Sequence, residues 1–236
     1  TGGIDLVFPH HENEIAQSEA CTGNKFVNYW VHNEWLLVDG KKMSKSLGNF
    51  FTLRDLLDKG HNAIAIRYVL ISAHYRTQLN FTEEGIRAAQ NSIERLHDFM
   101  TKLGEVTGEE DNPDVKESLK KAKDGFEKAM DDDLNMPDAL AAVFELVKDI
   151  NKLMAGKRLS RKDAEDVRDF MLSIDKVLGV LETEKEGIPE EIHELAEKRE
   201  QARKDKDWAA ADSIRDELKE KGYAVEDTPN GPRVKR

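Results

Sequence analysis

The sequence predicts an α/β segment that is followed by a mainly helical chain and closed by a small α+β tail. Short apolar and aromatic runs, which are typical of strands, lie within residues 1–50. From Thr82 onward, apolar residues recur almost only at helical spacing. Polar or charged stretches at residues 104–113 and 182–189 interrupt this helical part. We therefore divide the chain into residues 1–50, 51–81, 82–183 and 189–236.

The first of these units contains the predicted strands and one helix. Residues 4–8 form a short apolar run, which predicts a buried strand. Pro9 suits the first position of a helix, and Gly23 suits its end because glycine readily adopts the left-handed conformation there. Two later runs are rich in aromatic and β-branched side chains, so we predict strands there. These runs cover residues 26–32 and 35–38.

Beyond residue 50 the predicted elements are almost all helices. Thr52 is a suitable N-cap for the first of them, and the second has Ile66, Val69 and Leu70 on its apolar face. Apolar rows along the helices that follow imply an antiparallel bundle. The predicted elements after Thr52 are helices at residues 62–72, 115–130, 137–155, 160–181, 189–204 and 208–221, a helix that begins near Thr82, and a hairpin turn at 228–231.

Composition limits the possible partners. The chain of 236 residues has a formal net charge of −11, which by itself argues against nucleic acid, although contacts to RNA depend on local basic patches. The row Arg199, Arg203 and Lys206 is one such patch, so an RNA partner stays open. No stretch approaches the ~20 apolar residues that cross a bilayer, so we expect no membrane partner. Cys21 is the only cysteine, which excludes an internal disulfide and fits a reducing cytoplasm.

The most informative segment is K-M-S-K-S-L-G-N at residues 42–49. Lys42 and Lys45 are compact point charges with three donors each, so they can follow the oxygens of a polyphosphate while its charge shifts. Gly40 and Gly48 allow sharp backbone turns at the two ends of the loop. The pattern predicts a mobile phosphate-binding loop, and a loop that is merely basic is the alternative.

A second informative segment, F-P-H-H-E-N-E, occupies residues 8–14. His10 and Glu14 are four positions apart, which places both on one face of a helix. Zinc accepts imidazole nitrogen and carboxylate oxygen, so the pair predicts half of a tetrahedral site. The alternative is that both are exposed polar residues in a first helical turn. Cys21 lies beyond that helix face, and we expect it to be a small, semi-buried residue rather than a ligand.

Together the two segments resemble the catalytic domain of class I aminoacyl-tRNA synthetases, and F-P-H-H-E-N-E resembles the cysteinyl-tRNA synthetases in particular. The resemblance implies a Rossmann-like domain, of which residues 1–50 would form the C-terminal half. It also implies the activity. ATP with Mg²⁺ would activate L-cysteine as cysteinyl-adenylate, and the cysteinyl group would then be transferred to the 3′ end of cysteine tRNA. A cytoplasmic enzyme is expected.

By this resemblance, the loop lysines and the first glycines contact ATP. Lys45 is expected to be the principal catalytic contact to the departing pyrophosphate, with Lys42 second. Gly2 and Gly3 are expected to let the backbone approach the nucleotide, and Asp5 to accept hydrogen bonds from ribose hydroxyls. A turn or N-cap role for Asp5 is the alternative.

The resemblance also implies what the sequence lacks. In this family, the residues that match His10 and Glu14 bind zinc together with two upstream cysteines, and the zinc binds the thiolate of the substrate. Those cysteines are missing here, as is the H-x-G-H segment with which the family binds ATP. The chain also starts, at Thr1, beside what the pattern predicts to be a strand. We therefore expect a C-terminal portion of a longer enzyme that is inactive by itself.

Two segments in the middle of the chain resemble the same family. Residues 61–68 resemble a helix of the family that carries a four-residue motif: an acidic residue, Ala or Thr, a hydrophobic residue and Arg. Here Ile64 stands in place of the acidic residue that would pair with Arg67. The acidic turn near residue 133 resembles a turn of the family's bundle. There, Asp133 and Asn135 are expected to cap the next helix.

Residues 202–216 resemble the anticodon-binding module of the family. Basic residues there and near the end of the chain are expected to meet tRNA phosphates. They are Arg203, Lys206, Arg215 and Arg233. A solvated helix face is the alternative for each single residue.

Two other functions stay open on the sequence. A ligase that joins cysteine to an amino-sugar shares the zinc and K-M-S-K-S elements but needs no anticodon reader, so residues 189–236 count against it. A non-catalytic tRNA-binding fragment also fits the chain as it stands.

Overall fold

The computed structural model describes residues 1–181, 190–205, 207–228 and 231–235. Helices predominate along the chain, which separates into two units, Thr1–Leu181 and Glu182–Arg236. No helix among the described residues is long and apolar enough to cross a membrane. The predicted linker at 182–189, the predicted site residue Lys206 and the tip of the predicted hairpin lie outside the described residues.

The chain begins with a short strand, β1 (Gly2–Gly3), which pairs in parallel with β2 (His32–Asn33). The predicted buried strand at residues 4–8 is wrong, because the backbone becomes helical at Ile4, directly after β1. Phe8 is 76 % exposed, so this apolar run does not belong to a core. The physical reason for the error is that a short apolar run has no periodicity that separates a strand from a helical turn.

Helix α1 (Glu12–Thr22) begins later than predicted. Val7–His11 forms an irregular helical turn in which Phe8 is extended, and the predicted first residue Pro9 lies within that turn. Gly23 ends the helix with a φ of +67°, and its N–H donates to a carbonyl of the last turn, as the sequence predicts.

A three-stranded sheet carries the K-M-S-K-S loop. Its strands are β3 (Leu36–Val38), β4 (Lys41–Lys42) and β5 (Leu79–Phe81). β3 is central, antiparallel to β4 and parallel to β5, and Val38 is opposite Phe81 in the parallel pair. Both of these side chains are buried. The strand predicted at 35–38 is confirmed. Of the strand predicted at 26–32, only His32 is in a strand, β2, which also includes Asn33.

A tight turn at Asp39 and Gly40 joins β3 to β4. Both residues have positive φ angles, +49° and +74°, which is the backbone of a type I′ hairpin turn. Asn80 of β5 accepts a hydrogen bond at Oδ1 from the Gly40 N–H at 2.8 Å. The hairpin that presents the loop is therefore fixed from the neighbouring strand as well as by its own turn.

Two short helices follow the loop, α2 (Leu53–Asp58) and α3 (Ala63–Ile71). Thr52 caps α2 through a capping box with Asp55, as predicted. On α3, Ile66 and Val69 are buried as predicted, but Leu70 is 49 % exposed. Consecutive residues of a helix point about 100° apart, so Leu70 lies at the edge of the stripe that the other two define.

The main core is formed by four longer helices, α4 (Glu83–Gly104), α5 (Pro113–Asp131), α6 (Met136–Ala155) and α7 (Arg161–Leu178). α5 packs along α6, and α4 packs against α3 and α7. The largest fully buried side chains include Phe99, Leu96, Leu146, Ile150 and Met171. Each helix begins at a side chain that accepts a backbone hydrogen bond: Thr82, Asn112, Asn135 and Ser160.

Arg67 ties the end of α7 to α3. Its Nε donates to the Leu178 carbonyl at 2.5 Å and its Nη2 to the Val177 carbonyl at 3.2 Å. The last helical turn leaves such carbonyls without a partner in the helix, and a cation there also suits the helix dipole. A Cβ on Gly179 would lie 3.0 Å from the guanidinium, so glycine leaves room for this contact. Arg67 thus has a partner that does not depend on an acidic residue at Ile64.

The second unit contains two helices and a hairpin: α8 (Glu190–Lys204), α9 (Trp208–Glu220), β6 (Ala224–Thr228) and β7 (Gly231–Lys235). The strands pair antiparallel, and α8 packs along α9 and β7. Arg199 is only 7 % exposed, so it is not available to the local basic patch that the sequence suggests for Arg199, Arg203 and Lys206. It follows the buried Ile192 and Ala196 at helical spacing, which places it on the inner face of α8.

We predict that Arg67→Met lowers the free energy of unfolding by about 1 kcal/mol, because two carbonyls of α7 lose their charged donor. The effect is modest because Arg67 is exposed to solvent. Urea denaturation followed by circular dichroism measures this change. Arg54→Met is the matched control, since Arg54 makes no hydrogen bond or ion pair within the described part of the chain. An equal loss in both variants would contradict the role of Arg67.

Candidate functional site

The side chain of Asn49 closes the K-M-S-K-S loop. Its Oδ1 accepts a hydrogen bond from the Ser44 N–H at 2.9 Å, and its Nδ2 donates to the Lys42 carbonyl at 3.2 Å. The loop ends in a turn in which the Gly48 N–H donates to the Lys45 carbonyl at 3.2 Å, and the φ of Gly48 is +69°. The glycine turn agrees with the sequence prediction, whereas the role of Asn49 was not identified there.

Both loop lysines are exposed and lie over aromatic rings. Lys42 Nζ is 3.5 Å from the centroid of the Trp35 ring, and Lys45 Nζ is 5.5 Å from that of Phe50. Both distances are within the range of cation–π attraction. Neither lysine pairs with a carboxylate of the described residues. The loop therefore presents two positive charges to an incoming anion, and compact ammonium groups suit the oxygens of a polyphosphate.

His10 and Glu14 come together at the start of α1. His10 Nε2 lies 3.7 Å from Glu14 Oε1, and the two side chains are 61 % and 44 % exposed. The helical spacing thus brings both predicted zinc donors to one accessible surface. A nitrogen and an oxygen ligand fit zinc, and the pair would supply half of a tetrahedral set.

A complete set of zinc ligands is not found around this pair among the described residues. In the part of the chain that the structure describes, no group of three or more His, Cys, Asp or Glu side chains is arranged to hold a metal ion. Cys21 is exposed, so its predicted semi-buried position is wrong. The reason is that α1 buries none of its residues. A zinc ion at His10 and Glu14 would need its other donors from outside the described residues.

His11, for which no role was predicted, belongs to the same site. It is 6 % exposed, and its Nδ1 lies 2.8 Å from His32 Nε2 on β2. Its Nε2 lies 3.9 Å from Glu14 Oε2. His11 therefore connects the carboxylate on α1 to the neighbouring strand. The signal in the sequence was the histidine doublet in front of a helix.

The two glycines of β1 are required by close neighbours within the chain. A Cβ on Gly2 would lie 2.6 Å from Cε1 of His11, and one on Gly3 would lie 2.5 Å from Oδ1 of Asp5. Asp5 is exposed and lies in the helical turn Ile4–Leu6 that follows β1. The packing of His11 is thus one reason for glycine at residue 2, and the approach of Gly2, Gly3 and Asp5 to a nucleotide stays a prediction.

A cleft of about 270 Å³ lies beside these residues. It is lined by Ile4, Val7, Trp30, His32, Glu34 and Arg76. The planes of the Trp30 and His32 rings are within 5° of parallel, and their centroids are 5.8 Å apart. A larger hollow of about 950 Å³ lies in the bundle near the end of α4 and the start of α7, and none of the predicted site residues lines it.

The turn between α5 and α6 holds Arg76 at this cleft. Arg76 Nε pairs with Asp133 Oδ2 at 2.5 Å, and the Tyr75 hydroxyl donates to Asp133 Oδ1 at 2.6 Å. Hydrogen bonds from Tyr75 and Arg76 lower the pKa of Asp133, and the bond to Asp133 raises the pKa of Tyr75. The predicted capping role of Asp133 is wrong because its carboxylate is engaged here, whereas Asn135 caps α6 as predicted.

The predicted tRNA-binding arginines of the tail lie beside acidic residues of their own helices. Arg203 Nη1 is 4.0 Å from a carboxylate oxygen of Glu200, and Arg215 Nη2 is 3.2 Å from one of Asp212. Arg215 is the more accessible of the two, with 56 % of its side chain exposed against 34 % for Arg203. Arg233 lies on β7.

Three protein families match the chain in succession. The catalytic domain of class I (C) tRNA synthetases matches residues 1–91, and the DALR domain matches residues 125–182. The anticodon-binding domain of cysteinyl-tRNA ligase matches residues 185–233.

Curated relatives match over the whole chain. A cysteine–tRNA ligase of Protochlamydia amoebophila is 49 % identical over 237 residues, which cover 100 % of this chain and 50 % of the relative. That of Chlamydia muridarum is 45 % identical over 245 residues, which cover 100 % of this chain and 52 % of the relative. The chain thus spans about half the length of these relatives.

A similar solved structure is a ternary complex of Agrobacterium radiobacter K84 LeuRS with tRNA and LeuAMS. The TM-score is 0.60 at 19 % identity, over 76 % of this chain and 25 % of that one. At this identity the likeness concerns the fold alone.

We predict that Asn49→Ala speeds tryptic cleavage after Lys42 and Lys45 by up to about thirtyfold, because loss of two hydrogen bonds of ~1 kcal/mol each lets the loop open more often. Asn49→Asp keeps the acceptor for Ser44 and loses the donor to Lys42, so its cleavage rate should be intermediate. Mass spectrometry of native-state digests measures these rates. Asn24→Ala, in the loop after α1, is the control, and equal rates in all variants would rule out the closure by Asn49.

We predict a pH-dependent effect of Asp133→Asn on stability. The pKa of Asp133 is lowered in the folded chain, so its contribution is present above the ordinary carboxylate pKa and is lost as pH falls through the lowered value. The variant should lower the urea midpoint at pH 7 and have little effect well below pH ~4. Asn also tolerates the positive φ of +54° at this position. Asp131→Asn is the control, and a loss independent of pH would contradict this account.

Proposed function

We propose that the chain forms part of a cysteine–tRNA ligase, because it matches three domains of the cysteinyl-tRNA synthetase family in succession and curated cysteine–tRNA ligases over its whole length. The complete enzyme activates L-cysteine with ATP and transfers the cysteinyl group to the 3′ end of cysteine tRNA in the cytoplasm. The observation that carries this proposal is the closed loop with two lysines that have no carboxylate partner among the described residues. It lies in the segment that matches the class I catalytic domain.

In the first reaction, the loop lysines act on the departing pyrophosphate. A carboxylate oxygen of cysteine attacks the α-phosphorus of ATP and forms a new oxygen–phosphorus bond, and the bond to the β-phosphate breaks with its electron pair on pyrophosphate. Lys45 stabilises this growing charge, and Lys42 assists it. Mg²⁺ accompanies the ATP. Gly2, Gly3 and Asp5 contact the adenosine, with Asp5 accepting from the ribose hydroxyls.

His10 and Glu14 hold a zinc ion in this proposal. Their 3.7 Å separation and exposure support the role, and the other ligands come from outside the described residues. When bound, zinc favours the deprotonated thiol of cysteine, which a serine hydroxyl cannot replace equally well. His11 keeps Glu14 near β2 through its contact with His32 and so orients the carboxylate.

The rest of the chain binds the tRNA. We propose that residues 51–81 connect the catalytic part to an antiparallel bundle at 82–183, and that an α+β tail at 189–236 reads the anticodon. The matches to the DALR and anticodon-binding domains support this division. In the tail, we assign phosphate contacts to Arg203, Lys206, Arg215 and Arg233.

The nature of the acceptor tests this function. The full-length protein that contains this chain is incubated with ATP, labelled cysteine, and either cysteine tRNA or amino-sugars. The proposal predicts label on tRNA that mild base releases, as expected for an ester. Label on an amino-sugar alone would indicate the related ligase that joins cysteine to an amino-sugar. Binding of tRNA without transfer of label would indicate a non-catalytic tRNA-binding protein.

We predict that Lys45→Ala slows formation of cysteinyl-adenylate by about 10²–10³-fold, the usual effect of removing one electrostatic contact to a transition state. Rapid-quench assays of the full-length protein measure the rate of this single turnover. Lys41→Ala removes a neighbouring lysine and should change the rate little. Equal rates in the Lys45→Ala variant and the parent would exclude Lys45 from the reaction.

We predict that His10→Ala and Glu14→Gln each weaken zinc binding by tenfold or more, since each removes a direct ligand. Zinc content after dialysis against a graded chelator series measures the affinity in the full-length protein. His61→Ala, between α2 and α3, is the control. Full zinc retention in both site variants would place the metal elsewhere.

A further inference from the structure

Lys42 is held at three points before any ligand arrives. Its backbone belongs to β4, where it pairs with Leu37 of β3. Its carbonyl accepts the hydrogen bond from Asn49, and its Nζ lies 3.5 Å from the centroid of the Trp35 ring. The strand fixes only the backbone of Lys42, and a lysine side chain normally samples several rotamers. The contact with the ring restricts these rotamers.

The ring of Trp35 is a fixed support. Trp35 directly precedes β3, and the Trp35 backbone N–H donates to Glu34 Oε2 at 3.0 Å. The indole Nε1 is buried and has no hydrogen-bond partner among the described residues, so one edge of the ring is enclosed by the protein. The ammonium of Lys42 lies over a face of the same ring.

Lys45 provides a contrast within the same loop. It lies in the turn that ends at Gly48, outside the sheet. Its Nζ is 5.5 Å from the ring centroid of Phe50, and that ring is 42 % exposed. The support under Lys45 is therefore more distant and itself more accessible than the support under Lys42.

We propose that Trp35 is a positioning residue that fixes the Lys42 ammonium for the polyphosphate of ATP, while Lys45 stays free to follow it. An ammonium on a ring face keeps N–H groups on its outer side, where phosphate oxygens can accept from them. A donor that is already in place reorganises less when the phosphate binds. The inference rests on the proposed function and adds Trp35 to it.

The contact itself is tested without substrate. The full-length protein is labelled with 5-fluorotryptophan, and Trp35 is assigned in the ¹⁹F NMR spectrum by its loss in Trp35→Phe. Lys42→Gln should shift the Trp35 resonance, because the charge on the ring face is removed. Lys41→Gln, the matched control on the adjacent position of β4, should leave it unchanged. Equal spectra for Lys42→Gln and the parent overturn the proposal whatever the enzyme does.

The consequence is tested by a double-mutant cycle on pyrophosphate exchange. Trp35→Leu should lower kcat/KM for ATP by about two- to fivefold, the size of an exposed cation–π contact. It should leave the KM for cysteine unchanged, and Trp35→Phe should restore most of the loss because it keeps a ring. In a Lys42→Ala background, Trp35→Leu should have no further effect.

A merely structural Trp35 gives a different result. Trp35→Leu would then cost as much with Lys42→Ala as without it, and this result overturns the proposal. Absence of any cysteine-dependent exchange in the parent would instead count against the proposed function, and the ¹⁹F shift would still decide whether Trp35 holds Lys42.

Discussion

The parallel pairing of β3 with β5 is the constraint on which the arrangement of the site depends. β3 leads into the K-M-S-K-S loop, whereas β5 lies between α3 and α4 and thus belongs to the start of the bundle. The buried pair Val38 and Phe81 fixes their register, and Asn80 fixes the turn at Gly40. The loop is therefore attached to the helical part by residues that are far away in sequence.

Two further contacts secure the same attachment. Arg67 donates to the last carbonyls of α7. Arg76 pairs with Asp133 in the turn between α5 and α6. Each contact joins residues that follow the loop to the bundle, so the bundle acts as the support on which the loop and its lysines are held.

Features that depend on neighbouring residues were predictable from the sequence, whereas features that depend on distant partners were not. The cap at Thr52 and the end of α1 at Gly23 follow from local hydrogen bonds and dihedral preference. Asp133 was predicted to be a cap because the sequence does not show that Tyr75 and Arg76 lie beside it, and Arg199 was placed in a basic row although it lies on the inner face of α8. For the site, spacing was sufficient to bring His10 and Glu14 together, but it could not reveal the ring of Trp35 under Lys42 or the contact of His11 with β2.

The amino-acid dependence of pyrophosphate exchange into ATP tests the central claim most directly. It is measured with the full-length protein and each of the standard amino acids in turn, with serine as the critical comparison. The account predicts exchange with cysteine and only background exchange with serine, because serine has the size of cysteine but lacks the thiol that zinc would bind. Exchange that serine or any other amino acid supports as well as cysteine would contradict it.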